Sequence, residues 1–167
     1  MQSNFQKTLI LKPKSGVKQM KEDQLAEKLN DLIPKSLDNI IRQNREMAEL
    51  RLATDAEISA IEKNIQGQDM VKDAINDWRL ISLCVKTLNL SQVLLLGKSE
   101  QEKCPWITSQ VISVDFGRGL VYTKSGSLYK LLNRGEGEPP SEDLIRICAA
   151  LHLWGSGPLL GVPHFFD

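Results

Sequence analysis

Cys148 and His152, four residues apart, are the pair in this chain whose types and spacing most directly suggest chemistry. On a helix they share a face. With Cys104 and His164 they make a Cys2His2 set suited to tetrahedral zinc, and by themselves they could form a thiol–imidazole nucleophile pair. Both readings meet a physical objection. Structural zinc sites take at least two ligands from a tight knuckle, and the cysteines at 84, 104 and 148 have no paired spacing. A catalytic thiolate wants a helix start or a neighbouring cation, whereas Cys148 falls in apolar company, which raises a thiol pKa. The expectation is a buried thiol and a hydrogen-bonded histidine without metal or cofactor. A small zinc or thiol protein built on Cys148 and His152 is the alternative.

Gly117-Arg118-Gly119 and Gly155-Ser156-Gly157 resemble pieces of phosphate loops, but they lack the full glycine spacing and the following Lys-Ser or Lys-Thr. A hairpin turn accounts for the first and a helix stop for the second. Asp115, Glu136 and Glu138 have no spacing that argues for acid–base work. No catalytic residue is expected. The chemistry left is that of contact: Trp154, Phe165 and Phe166 gather near the C-terminal end, and Arg118 sits at a hairpin tip. Tryptophan and arginine are frequent anchors of protein interfaces, although the aromatics equally suit a core. Lys12 and Lys14 belong to a basic arm at residues 1–19 that has four lysines and no acid, suited to an acidic partner or to nucleic acid.

The elements that must position these residues follow from periodicity. From residue 20 to 90 the chain reads as about four helices. Leu25, Leu29, Leu32 and Ile33 recur at helical spacing before Pro34. Ser36 can cap a second helix with the stripe Leu37, Ile40, Ile41, Met47 and Leu50, and Thr54 and Glu57 have the capping-box pattern for a third with Ile58, Ile61 and Ile65. A fourth carries Val71, Ala74, Ile75, Trp78, Ile81, Val85 and Leu88, and its breadth of apolar residues predicts deep burial. The first two have narrow apolar stripes, which either coat a bundle weakly or pair with another chain.

Residues 91–167 read as a small α+β domain. Residues 93–96 are a strand or a helix end. Residues 107–132 alternate as an antiparallel meander: Ile112, Val114 and Phe116, then a Gly117–Gly119 turn, then two short strands joined at Ser125-Gly126. Residues 141–154 form a helix apolar almost all round, with Glu142 and Asp143 at its positive end. The fold class expected is therefore α+β: an N-terminal helical segment followed by a small antiparallel β-meander packed by a C-terminal helix.

Composition narrows the function. Of 167 residues, 21 are Lys or Arg and 21 are Asp or Glu, so no global field gathers nucleic acid or anionic membrane. No apolar run is long enough to span a bilayer, and no N-terminal segment has the order of a signal peptide. Three unpaired-spacing cysteines suit reduced thiols in the cytoplasm. The function expected is a non-enzymatic protein-binding module. Its narrower form is a small bacterial phage or mobile-element inhibitor or adaptor acting on a host defence complex of nuclease type. A nucleic-acid-binding regulator using the basic arm is the alternative from another class.

Overall fold

A computed structural model describes residues 15–65 and 70–164, which divide into two compact units at the boundary of Ile33 and Pro34. The first unit contributes one helix, α1, Ser15–Leu32. Its Lys, Glu, Gln, Ala and Leu residues lose little side-chain freedom in a helix, and Pro34 ends the run.

The second unit is built on a six-stranded mixed sheet: β1 Ala48–Leu52, β2 Val71–Val85, β3 Leu90–Ser99, β4 Pro105–Asp115, β5 Leu120–Thr123 and β6 Leu128–Leu131. Each strand pairs antiparallel with the next, and β6 returns to pair parallel with the first part of β2, at Val71–Ile75. The pairings from β2 round to β6 therefore close a ring. β1 takes the same edge of β2 further along, where Leu52 faces Ile81 and Ala48 faces Val85. Short helices α2 Leu37–Ile40, α3 Asp55–Ser59 and α5 Gly157–Leu160 join one long helix, α4 Ser141–Leu153.

Burial divides the apolar residues of this unit between two cores. Ile75, Trp78, Leu80, Leu95, Val111, Val114, Val121, Tyr129 and Leu131 come from all the ring strands and fill the ring. Small closed sheets are packed by side chains in this way. The other core takes Ile81, Leu83 and Val85 of β2 with Leu94 and Leu96 of β3, and covers them with α2, α4 and α5. β2 and β3 are thus buried on both faces, Leu95 pointing one way and Leu94 and Leu96 the other.

This architecture overturns the expected one. Residues 20–90 do not form a helical segment of four. The stretch read as the fourth and most buried helix is strand β2. Burial on both faces fills its sequence with apolar residues and removes the alternation that marks a strand. A register shift between Asn76 and Arg79, with Asp77 at φ +50°, moves Trp78 out of phase and adds to the helical look. The second stretch supplies only the single turn α2, capped by Ser36 accepting the Asn39 N–H, and then becomes β1. The capping box of Thr54 and Glu57 is present, but it opens a helix that ends at Ser59, and the backbone then runs beside β4, where Glu62 O accepts the Val114 N–H at 2.9 Å. Residues 93–96 lie in β3, so the meander is half of a larger sheet and not a sheet by itself.

Candidate functional site

The cysteine–histidine set is not brought together for chemistry. Cys148 is fully buried in the core beneath α4, and that burial pushes its thiol pKa up to about 12. The His152 Nε2–H donates to the Val162 carbonyl at 2.8 Å, and the ring stacks on His164 at 4.3 Å between centroids. Cys104 is half-buried and lines an open groove together with Pro105, Ile145 and Ala149. Among the described residues no group of three or more His, Cys, Asp or Glu side chains is placed to hold a metal ion.

The residues expected to contact a partner fare differently. Arg118 is at the β4–β5 tip, yet it is tied inward: Nε donates to Asp115 Oδ2 at 2.7 Å and Nη2 to the Ile65 carbonyl at 3.2 Å. Those bonds to the guanidinium and backbone of Arg118 hold the Asp115 carboxyl below the usual range. Trp154 caps the C-terminal end of α4 and is 44 % exposed, beside the still more exposed Leu153. Lys12, Lys14, Phe165 and Phe166 lie outside the described residues.

Two other places present side chains to solvent in an organised way. The first is α1. Every residue from 21 to 32 is exposed, and Leu25, Leu29 and Leu32 are 57 %, 53 % and 43 % exposed. Their spacing of four and three residues sets them on one line along the helix. Lys21 and Lys28 flank that line on one side and Glu22 on the other.

The second is one mouth of the strand ring. Trp78 there is stacked on Phe116 with ring centroids 6.1 Å apart, Lys63 Nζ lies 6.0 Å from the Phe116 centroid, and the Arg134 guanidinium lies 5.1 Å from that of Trp78. Residues 133–137 continue the line of β6 along β2 as a strap: the Trp78 N–H donates to Asn133 O, and the Gly135 N–H to Trp78 O. Arg79, 6 % exposed, binds the strap from below, donating from Nε to Gly137 O and from Nη2 to Glu136 O, both at 2.8 Å. Asp77 Oδ2 balances its charge at 3.1 Å. Gly135 allows this approach, since a Cβ would come within 2.6 Å of Arg79 Nη1 and Asp77 Oδ1 and would push that ion pair aside. Between the strap and the end of β1 lies an open cavity of about 420 Å³.

A polar hub joins β1, β2 and α3. Glu57 accepts from Arg51 Nη1 at 2.5 Å, from Ser82 Oγ at 2.6 Å and from the Thr54 N–H at 2.9 Å. The Arg51 bond first, then those from Ser82 and Thr54, bring its pKa down to about 2 despite burial. A carboxylate so firmly ionised is a structural anchor and a poor general base.

Sequence reasoning marks the α1 leucines as a stripe but misses the Arg134–Trp78–Phe116–Lys63 column. Its members are up to 71 positions apart (134 minus 63), and only the closure of the ring brings them together. Among the described residues no helix is long and apolar enough to cross a membrane. No protein-family model, curated protein or solved structure matches the chain.

Proposed function

We propose that this protein is a non-enzymatic binding module that docks on a protein partner by laying α1 into an apolar groove. The observation that carries the reading is the uncovered line of Leu25, Leu29 and Leu32 on a charged helix. Anchors at i, i+4 and i+7 are the pattern by which a helix is read by a groove. A helix of this length gains most of its stability from packing an apolar face, so a partner that covers the stripe also stabilises the helix. Each leucine contributes roughly 1.5–3 kcal/mol on full burial, offset by the cost of association and side-chain ordering. Lys21 and Lys28 on one flank call for a groove with an acidic rim on that side.

The residues that first suggested catalysis support the non-enzymatic reading through their present employment. Cys148 packs in a core, and His152 holds the Val162 carbonyl. The narrower form of the proposal remains an inhibitor or adaptor of phage or mobile-element type acting on a nuclease-type defence complex. A helix that fills a groove would there compete with a helix that the complex itself places in it.

The test is a pair of affinity captures from a cognate bacterial lysate, after nuclease digestion and a salt wash. One bait is the wild-type chain and the other carries Leu25→Ala, Leu29→Ala and Leu32→Ala together. A partner held by the first, lost by the second and displaced by a synthetic peptide of residues 15–33 is the expected result. Retention that ignores the triple substitution overturns the reading. Loss of all bound material on nuclease digestion moves the weight to nucleic acid and to Lys12 and Lys14.

A further inference from the structure

Three of the arginines on the strand ring and β1 are matched by carboxylates: Arg51 by Glu57 and Glu49, Arg79 by Asp77, and Arg118 by Asp115. Arg134 is different. Its guanidinium lies over Trp78, and among the described residues no hydrogen bond or ion pair engages it. A guanidinium held over an indole face by cation–π attraction keeps its N–H donors available to another partner. Here the ring is itself fixed, since the Trp78 Nε1–H donates to Leu132 O at 3.2 Å and Phe116 backs its face.

Arg134 also lines the cavity between the strap and the end of β1, a mostly polar slot to which Leu52 and Ala53 add a small apolar side. The walls are held in place before any ligand arrives, because Arg79 and Trp78 bind the strap through its backbone. Asp77 already neutralises Arg79, which leaves Arg134 as the cation of the lining without an ion pair among the described residues, with Glu136 in the same lining. An anion that meets Arg134 meets Glu136 as well, so a single negative charge is tolerated better than two. A planar fork of donors with Leu52 and Ala53 nearby matches a planar oxyanion attached to a small hydrocarbon group.

We propose that the slot between the end of β1 and the 134–137 strap binds a carboxylate carrying a small aliphatic group, with Arg134 forking its two oxygens and Leu52 and Ala53 receiving the aliphatic part. Two sources offer this chemistry: a free small carboxylic acid, and the C-terminal carboxylate of a peptide ending in an aliphatic residue. The site is independent of α1, and its test does not depend on finding a partner for that helix.

The experiment follows the backbone amides of Gly135 and Gly137 and the indole of Trp78 by NMR in the full chain. The probes are 4-methylpentanoate, acetyl-Ala-Leu as the free acid, acetyl-Ala-Leu amide, and inorganic phosphate. Both carboxylates shift these signals saturably and the amide does not. Tighter binding of the dipeptide acid assigns the site to peptide termini, and tighter binding of 4-methylpentanoate assigns it to a free acid. Arg134→Gln, on an exposed strap residue, weakens the carboxylates on the order of tenfold, the worth of one charged forked pair, and Arg134→Lys falls between. Absence of saturation, equal response to acid and amide, selection of phosphate over both carboxylates, or unchanged binding by Arg134→Gln each overturns the proposal.

Discussion

Helices α1 and α4 carry apolar residues at the same i, i+4, i+7 spacing, Leu25, Leu29 and Leu32 in one and Leu144, Cys148 and Leu151 in the other, and meet opposite fates. In α4, Leu144, Ile147, Cys148 and Leu151 are 0–1 % exposed, packed in the core that they share with residues of β1, β2 and β3. In α1, Leu25, Leu29 and Leu32 all face solvent. An apolar stripe records that a helix can be covered; what covers it is decided elsewhere. For α4 the cover is the chain's own sheet, so its leucines serve stability. The leucines of α1 are available to a partner, so theirs is a binding role in the proposal above.

The sharpest way to break that contrast is to attack the polar pin at the start of α4. Asp143 is fully buried; Lys98 Nζ reaches its Oδ1 at 2.8 Å and also contacts Glu142, while among the described residues none hydrogen-bonds to Asp143 Oδ2. Burial raises the Asp143 pKa, and Lys98 offsets only part of that rise. Lys98→Met therefore leaves a buried carboxyl without its cation, at a cost of about 3–5 kcal/mol near neutral pH. At acid pH Asp143 can take up a proton, so the deficit shrinks there and grows as pH rises through its raised pKa. Urea unfolding of both proteins across pH measures it. A deficit that stays constant with pH would remove Asp143 from the explanation.

Next in size is the direct comparison of the two helices. Leu151→Ala empties part of the core and costs about 2–5 kcal/mol, whereas Leu29→Ala changes the stability of the second unit by less than about 0.5 kcal/mol. Thermal and denaturant melts decide this. Equal losses at the two positions would mean that α1 is covered by its own chain, and the contrast would be gone.

A smaller loss than that of Leu151→Ala is expected at the Glu57 hub. Glu57→Gln removes the charge that Arg51 matches and costs about 1–3 kcal/mol at neutral pH. Because the folded protein brings this carboxyl down to about 2, its contribution is present above the unfolded pKa of about 4.3 and is lost as pH falls toward 2. The stability gap between wild type and variant should therefore close in that window when followed by unfolding at a series of acid pH values.

Parts of the molecule were legible residue by residue. The strand read at Ile112 and Val114 lies in β4, although β4 ends at Asp115 and it is Val111 and Val114 that are buried while Ile112 and Phe116 are exposed; the Gly117–Gly119 and Ser125-Gly126 turns separate β4, β5 and β6, and α4 begins at Ser141. The capping box of Thr54 and Glu57 stood in the sequence, as did the stripe on α1. β1 also had a signal that helical spacing masked: Ala48 and Leu50 are buried and Glu49 is exposed, a period of two. The arginine at the slot had none, because Arg134 reads as an ordinary loop residue beside glycines.

What the sequence determined by itself, then, is what local forces decide: turns, caps, and segments with one apolar face. Tertiary structure alone decided the rest. β2 became a strand because two cores claim its two faces, and a segment buried on both sides keeps no period to read. Cys148 and His152 came apart in role because α4 turns the thiol into a core and the imidazole toward Val162. The slot exists because β2 carries β1 on one stretch of its edge and the strap on another, joining residues 52, 79 and 134. Contacts so distant in sequence are fixed by closure of the sheet, and no local pattern encodes them.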